Sequence, residues 1–324
     1  MLDFLDRKIL FELDKDARIS LTKLSKKLRR SKEVIHYRIK KLEKLGIITS
    51  YEIFVNFASF NKMTIGVYFR PKKITADKEK ELLNFLLKYP TIARVSQCIG
   101  EFDLSLAVEV KNLYELDQTI VEIKNAFPEE IGDYEVHTRV KALRFSRDYL
   151  INQKRKIRES MILADYTLPK FNGDNLDKKI LYSLSKNARK SCLEIAKELD
   201  VSNSTVISRL KRLKKGKVIT LSTIFINHNK MGYECYRLLI KTNELTPEKE
   251  QKLISYCESN PNITHYLRGI GVWNVEFIIE VENLLQYHTI YKEIGTLFSQ
   301  DIQKMTSLTM FNNLMEVTSA IFKD

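Results

Sequence analysis

The chain repeats itself at a constant offset of 171 positions. Leu5-Asp6-Arg7-Lys8-Ile9-Leu10 returns as Leu176-Asp177-Lys178-Lys179-Ile180-Leu181, and Ala17-Arg18 as Ala188-Arg189. Ser31, Arg38 and Leu42 return as Ser202, Arg209 and Leu213. Further on, Pro90, Gly100, Glu109-Val110 and Phe127 return as Pro261, Gly271, Glu280-Val281 and Phe298. An offset held over so many positions marks a fused duplication. Periods of 20–50 residues signal solenoids. This period is far longer, so each copy is expected to fold by itself, and any function must be read as a pair.

Charge divides along the same lines. The net charge of +13 over 324 residues is distributed as +6 in residues 1–60, −3 in 61–138, +6 in 139–173, +7 in 174–220 and −3 in 221–324. Concentrated positive potential in the first part of each copy suits a polyanion. The 44% hydrophobic content supports packed cores rather than disorder. There is no apolar run of membrane-span length and no signal-peptide pattern. Cys98, Cys192, Cys235 and Cys257 form no CxxC pair, and the five histidines form no metal-ligand spacing with them. A reducing cytoplasmic setting is expected, with no metal, cofactor or membrane partner.

The basic part of each copy has the spacing of three short helices. In the first, Leu5, Ile9, Leu10 and Leu13 share one face, and Ser20 caps a second helix carrying Leu21, Leu24 and Leu28. A tight turn at Arg29-Arg30 leads to Ser31, the cap of a third helix with Ile35, Ile39 and Leu42 inward. The second copy repeats the plan with Ser202 capping Val206, Leu210 and Leu213. Paired helices with a serine-capped second member fit the helix-turn-helix plan, in which that second helix enters the major groove. Its outward face would hold Lys32, Glu33, His36, Tyr37 and Lys40 in the first copy, and Asn203, Ser204, Ile207, Ser208 and Lys211 in the second. Lys41, Lys44, Arg212, Lys214 and Lys215 suit phosphate contacts. Arg38 and Arg209 border the apolar stripe, where pairing with an acid of their own domain competes with a phosphate role. Lys217 stands where the first copy has Gly46, with Gly216 one place earlier, so the helix end is expected to shift there.

After Phe60 the pattern turns to strands. The order is β-α-β-β-α-β in each copy, with strands near 64–70, 93–99, 104–110 and 134–143 and helices between; the second copy matches from 236 to 310. Face-to-face packing of the two sheets would cover their exposed sides. The fold class expected is therefore α+β: two winged-type helix-turn-helix domains (1–60 and 174–222) alternate with two ferredoxin-like βαββαβ domains (61–145 and 223–324). A basic linker, 146–173, contains Lys154-Arg155-Lys156-Ile157-Arg158, either an arm for phosphates or a solvated connector.

LDRKIL…DARIS…RIKKLEKLGII followed by a βαββαβ unit resembles the Lrp/AsnC family, the feast/famine transcriptional regulators, and LDKKIL…NARKS…SNSTVISRLKRL repeats the resemblance. It covers nearly the whole chain. It implies sequence-specific binding of double-stranded DNA without enzymatic activity, and a dimerising, effector-binding second domain whose ligands are commonly amino acids. It places the effector near the turn between the second and third strands, here Gly100-Glu101-Phe102-Asp103 and Gly271-Val272-Trp273-Asn274. The change of Asp103 to Asn274 and of Glu101 to Val272 makes any such site asymmetric. The plainer reading has the glycines serving the turns and Phe102 and Trp273 packing. Family members usually carry one module per chain, so this one is expected to act as a single-chain pseudo-dimer, with further homo-oligomerisation open.

The alternative is enzymatic. Sirohaem decarboxylases resemble the same family in both domains, and Pro261-Asn262-Ile263-Thr264-His265-Tyr266-Leu267-Arg268 is loosely similar to their His/Tyr/Arg segment. His and Arg could engage a carboxylate-rich tetrapyrrole and supply a proton. The first copy has Ala93 and Arg94 where Thr264 and His265 stand, so a histidine pair is not reproduced.

Overall fold

The computed structural model describes residues 2–72, 74–152, 161–166 and 170–314; the basic run Lys154–Arg158 lies outside them. The first unit comprises α1 (Phe4–Lys15), α2 (Leu21–Leu28), α3 (Lys32–Lys44) and the strand β1 (Ile48–Val55). Then follow β2 (Met63–Pro71), α4 (Ala76–Lys88), β3 (Ile92–Ile99), β4 (Leu104–Val110), α5 (Leu113–Ala126), β5 (Ile131–Arg144) and the short β6 (Met161–Asp165). The second copy has α6 (Asn175–Lys186), α7 (Cys192–Glu198), α8 (Asn203–Lys215) and β7 (Ile219–Ile226). It continues through the single-turn α9 (His228–Met231), β8 (Glu234–Thr242), α10 (Pro247–Ser259), β9 (Ile263–Ile270), β10 (Val275–Val281), α11 (Leu284–Leu297) and β11 (Ile302–Leu314). The chain thus alternates winged helix-turn-helix and ferredoxin-like units.

The copies do not fold separately. The strands β1 and β7 follow the two recognition helices and pair antiparallel with each other, Tyr51 opposite Ile224 and Glu52 opposite Thr223. Each then packs into the other copy's helices. Ile224 and Ile226 join Ile9, Leu13, Ile35 and Leu42 in the first helical core, while Val55 joins Ile180, Leu184, Val206 and Leu213 in the second. This corrects the expectation that each copy folds by itself. A three-helix unit of this size buries too little apolar surface alone, and its missing wall comes from its twin. The repeated Ala-Arg pair gains a meaning here. Arg18 donates to the Ala188 carbonyl and to that of Lys190 at 2.8 Å, and Arg189 donates to the Ala17 carbonyl at 3.0 Å. Each arginine satisfies backbone of the opposite copy across the pseudo-twofold axis.

The sheets are also joined, by their edges. Copy one has the order β5-β2-β4-β3 and copy two β11-β8-β10-β9, with β11 bonded to β3 and β5 bonded to β9. Because β2 also pairs with β5, the eight strands close into a ring, with β6 flanking β5. The long final strand of each copy makes the handover: β5 runs along β2 up to Thr138 and then along β9 to Arg144, and β11 runs along β8 and then along β3. Face-to-face packing was the expectation; hydrogen-bonded closure is what forms, because it satisfies strand edges that a simple sandwich leaves open.

Alternation assigns the two faces. On the outside, Ile65, Val67 and Phe69 of β2 pack with Leu82 and Leu86 of α4 and Ile120 and Ile123 of α5, and the second copy does the same with α10 and α11. On the inside, Tyr68, Phe102, Leu239, Trp273 and Leu308 form a joint inner cluster. The copies are complementary there rather than identical: Arg237 of copy two donates to Tyr68 Oη at 2.6 Å and Ser105 Oγ at 2.7 Å of copy one.

Lys217 settles the helix-end question. It adopts φ 53°, as Gly46 adopts φ 64°, and Gly216 (φ −77°) matches Leu45 (φ −72°). The end is not shifted; a lysine simply occupies the left-handed position. Two outcomes follow. Lys217→Gly should raise stability by about 1 kcal/mol in a urea melt, since the left-handed region costs a β-carbon residue roughly that much. Ile224→Ala should cost about 2–5 kcal/mol, and hydrogen exchange should show it loosening α1–α3, although Ile224 lies more than 170 residues downstream of them in the chain.

Candidate nucleic-acid interface and inner cavity

Both recognition helices are built by the same local devices. Ser31 Oγ accepts from Val34 N at 3.3 Å, and Ser202 Oγ from Thr205 N at 3.0 Å, each satisfying an otherwise orphan amide. The turn before each helix uses a left-handed residue, Arg29 (φ 53°) or Asp200 (φ 52°). With Ile35, Ile39 and Leu42 buried in α3 and Val206, Leu210 and Leu213 in α8, the opposite faces must be solvated. Lys32, Glu33, His36, Tyr37, Lys40, Lys41 and Lys44 are exposed on α3. Asn203, Ser204, Ile207, Ser208, Lys211, Arg212, Lys214 and Lys215 are exposed on α8. Tyr37 is 66% exposed on that face.

Arg38 and Arg209 go elsewhere. Asp3 and Asp6 form a capping box at the start of α1, and Arg38 binds both, reaching Asp6 at 3.0 Å. Asp174 and Asp177 do the same for α6 and hold Arg209, 3.2 Å from Asp177, with Arg212 also on Asp177. The repeated Asp6/Asp177 and Arg38/Arg209 are therefore one structural clasp, fastening each recognition helix to the first helix of its unit. Of the two roles weighed for Arg38 and Arg209, the intradomain ion pair is the one formed. Arg29 and Arg30, treated in the sequence only as a turn, are exposed at the start of α3 and extend its basic face.

The effector-turn candidates are brought together, but as packing. Phe102 and Trp273 are buried, 5.8 Å apart, and both lie against Tyr68 at 5.5 and 4.9 Å. Gly100 (φ 145°) sits where a Cβ would stand 2.8 Å from the Ser307 carbonyl, and a Cβ on Gly271 would stand 2.6 Å from the Val136 carbonyl. Each turn is thus pressed onto the last strand of the other copy. Glu101 pairs with Arg70 at 2.9 Å, Asp103 stays exposed, and Asn274 Oδ1 accepts from Thr242 N at 2.8 Å.

Sequence reasoning missed the charged interior. A cavity of about 220 Å³ lies between the β1–β7 ribbon and the inner face of the ring. Beside it Asp14 of α1 is fully buried and accepts from Arg144 and Arg147. Arg147 also forks onto Glu280 at 2.7 and 3.0 Å, and Glu280 takes Tyr149 Oη at 2.6 Å and His228 at 3.0 Å. Burial alone would raise both acids, but the arginines outweigh it, holding Asp14 below and Glu280 well below the usual carboxylate range. Across the cavity the balance reverses. Burial pushes Glu109 up to about 8 against the pull of Lys62, Arg94 and Arg139, and Glu52 up to about 7 with Arg94 3.9 Å away. Glu109 and Glu280 were visible as a repeated pair, and charge in an apolar strand was the available signal; which of them is ion-paired depends on residues far away in sequence. Among the described residues no His/Cys/Asp/Glu cluster could hold a metal ion, and no helix is long and apolar enough to cross a membrane.

Comparison with known proteins bears on this arrangement. A family profile described as Winged helix-turn-helix DNA-binding matches residues 2–49 and 174–220. An uncharacterized HTH-type transcriptional regulator of Pyrococcus furiosus is 34% identical over 123 residues, covering 38% of this chain and 82% of that protein. The chain belongs to the Lrp/AsnC family of helix-turn-helix transcriptional regulators. HTH-type transcriptional regulator FL11 of the same organism is 32% identical over 117 residues, 36% of this chain and 76% of its own. Each such relative matches roughly the length of one copy, so this Lrp/AsnC chain carries in tandem what they carry once. Over its whole length the chain is similar to the siroheme decarboxylase NirDL, with TM-score 0.61, 15% identity and coverage of 99% of this chain and 97% of that one. At that identity the likeness is one of fold.

The buried acids set a pH profile. Asp14 and Glu280, depressed in the folded state, add stability that is present above their unfolded values and lost as pH falls through them. Glu52 and Glu109 are raised, so the folded state holds more protons than the unfolded one, and stability declines as pH rises from about 4.5 through 7 and 8. Thermal melts should therefore peak near pH 5 and decline by pH 8, and Glu109→Gln should flatten that alkaline decline. An unchanged slope in the variant would contradict the assignment. Asp14→Asn should cost about 3–5 kcal/mol, since it leaves the buried Arg144 without its carboxylate, Arg147 keeping Glu280.

Proposed function

We propose that this protein is a sequence-specific DNA-binding regulator that engages adjacent half-sites as a single-chain pseudo-dimer, and that its DNA affinity responds to a small molecule. One observation carries the reading: two serine-capped recognition helices present solvated faces that each carry four basic side chains while a crossed β1–β7 ribbon fixes one unit against the other. The contact residues proposed are Lys32, Glu33, His36, Tyr37 and Lys40 in one reader and Asn203, Ser204, Ile207, Ser208 and Lys211 in the other, with Lys41, Lys44, Arg212 and Lys215 on phosphates. Because the two faces differ, the expected operator is an asymmetric pair of half-sites about 34 Å apart or a multiple of it.

Selection from a random DNA pool should recover a bipartite motif, and gel-shift affinity should fall steeply with salt. Lys40→Ala and Lys211→Ala should each lower the slope of log K against log salt by about 0.9, one phosphate contact apiece. Salt-independent affinity, or no enriched sequence, would defeat the reading.

A second reading takes the NirDL-like fold and the His265-bearing cavity together, with a sirohaem-type tetrapyrrole as substrate. The geometry ranks it second. His265 faces the cavity, but Tyr266 and Arg268 turn to Glu250 on the outer face, at 3.3 and 2.7 Å. Arg94 replaces the second histidine, and 220 Å³ is less than a macrocycle requires. Titration with sirohaem should leave the absorption spectrum of the pigment unshifted; a saturable shift would promote this reading over the first.

A further inference from the structure

The cavity under the β1–β7 ribbon gathers five arginines, Arg94, Arg139, Arg144, Arg147 and Arg237, and not all of them are held by its acids. Arg144 and Arg147 are matched by Asp14 and Glu280, and Arg237 lies 3.7 Å from Glu276. Among the described residues Arg94 has Glu52 as its ion-pair partner, at 3.9 Å, and it stacks 4.2 Å over the Phe225 ring. Arg139 Nε, Arg144 Nη1 and Arg237 Nε have no hydrogen-bond partner among the described residues. Arg144 and Arg237 are buried, at 2% and 7% exposure. The acids that could compensate are Glu52 and Glu109, and burial raises them to about 7 and about 8, so near neutrality Glu109 is mostly protonated and Glu52 only partly ionised. A buried cation without a counter-ion costs several kcal/mol, so such a site is completed by an anion.

The rest of the wall states what the anion is attached to. Phe54 and Phe225 of the ribbon and Leu267 and Met310 of the ring give both walls apolar surface. An apolar cavity of about 150 Å³ holds benzene, so one of about 220 Å³ accommodates roughly nine non-hydrogen atoms. We propose that this cavity is a binding site for a small organic carboxylate with an aromatic or branched apolar body, its carboxylate on Arg94, Arg139 and the free Nη1 of Arg144. The site is distinct from the Gly100–Asp103 and Gly271–Asn274 turns, where Phe102 and Trp273 fill the space.

The same walls make occupancy regulatory, a step that rests on the DNA-binding reading above. One wall is the β1–β7 ribbon, which completes both helical cores. Another is Arg144, whose second arm grips Asp14 near the end of α1. A carboxylate drawing Arg144 inward competes with that grip, and an apolar body against Phe54 and Phe225 bears directly on the ribbon that spaces the two readers.

The test uses the full chain with three probes: phenylacetate, its neutral counterpart phenylacetamide, and inorganic phosphate. Phenylacetate should bind saturably by calorimetry and raise the melting temperature; the amide and phosphate should not. Arg94→Gln should weaken phenylacetate about tenfold, the loss of one charge-assisted hydrogen bond, with Arg139→Gln as the replacement if the first variant melts out. Absence of phenylacetate binding, or equal binding of the amide or of phosphate, overturns the site. Gel shifts on the selected operator with and without phenylacetate test the coupling, and binding with unchanged operator affinity overturns it. Phenylacetate binding in a protein that captures no DNA under any condition overturns the regulator reading and leaves the site standing.

Discussion

The exchange of β1 and β7 is the constraint on which the rest depends. Each strand leaves its own recognition helix, pairs with its counterpart and delivers Ile224 or Val55 into the opposite helical core. Two small units that could not bury enough surface singly become one body, and the reciprocal bonds of Arg18 and Arg189 pin the crossing point. The separation of the two readers, the roof of the inner cavity and the burial of Asp14 all derive from that crossing.

Closure of the sheet ring acts alongside it. Because β5 and β11 each serve two copies, the inner faces are held apart at a width that Tyr68, Phe102 and Trp273 fill at one end and leave open at the other. Duplication then let the two halves of that interior differ. Where one copy has Gly66 and Ser105, the other has Arg237 and Glu276, and the arginine of one binds the hydroxyls of its twin. A homodimer would have to place like charges opposite each other there, at a cost in the low-dielectric interior.

Much of this was legible in the sequence, and the boundary is physical. Caps, turns and apolar stripes are local, so Ser20, Ser31 and Ser202 begin their helices where the spacing places them. The strand order was legible for the same reason. Alternation, however, says that a residue is buried without saying against what, so Ala17-Arg18 read as one copy's property when it is a contact between copies. The clasp of Arg38 on Asp3 and Asp6 was one of two open roles, because a residue bordering the stripe reaches either way. The cavity was invisible: Arg94, Arg139, Arg144 and Arg237 sit on three strands spread over 144 positions and share no spacing. Lys217 misled because glycine is the usual occupant of a left-handed position, and a lysine can bear the modest strain.

The crossed ribbon also bears on how such a regulator would meter its own abundance. A reader assembled from separate chains titrates with the square of its concentration when scarce, because association must precede binding. Here association of the two units is covalent, and among the described residues β1 and β7 are paired with each other while the eight sheet strands close on themselves. Occupancy of a bipartite site would then rise linearly from the first few molecules in a cell, and a single gene would supply both halves in fixed proportion.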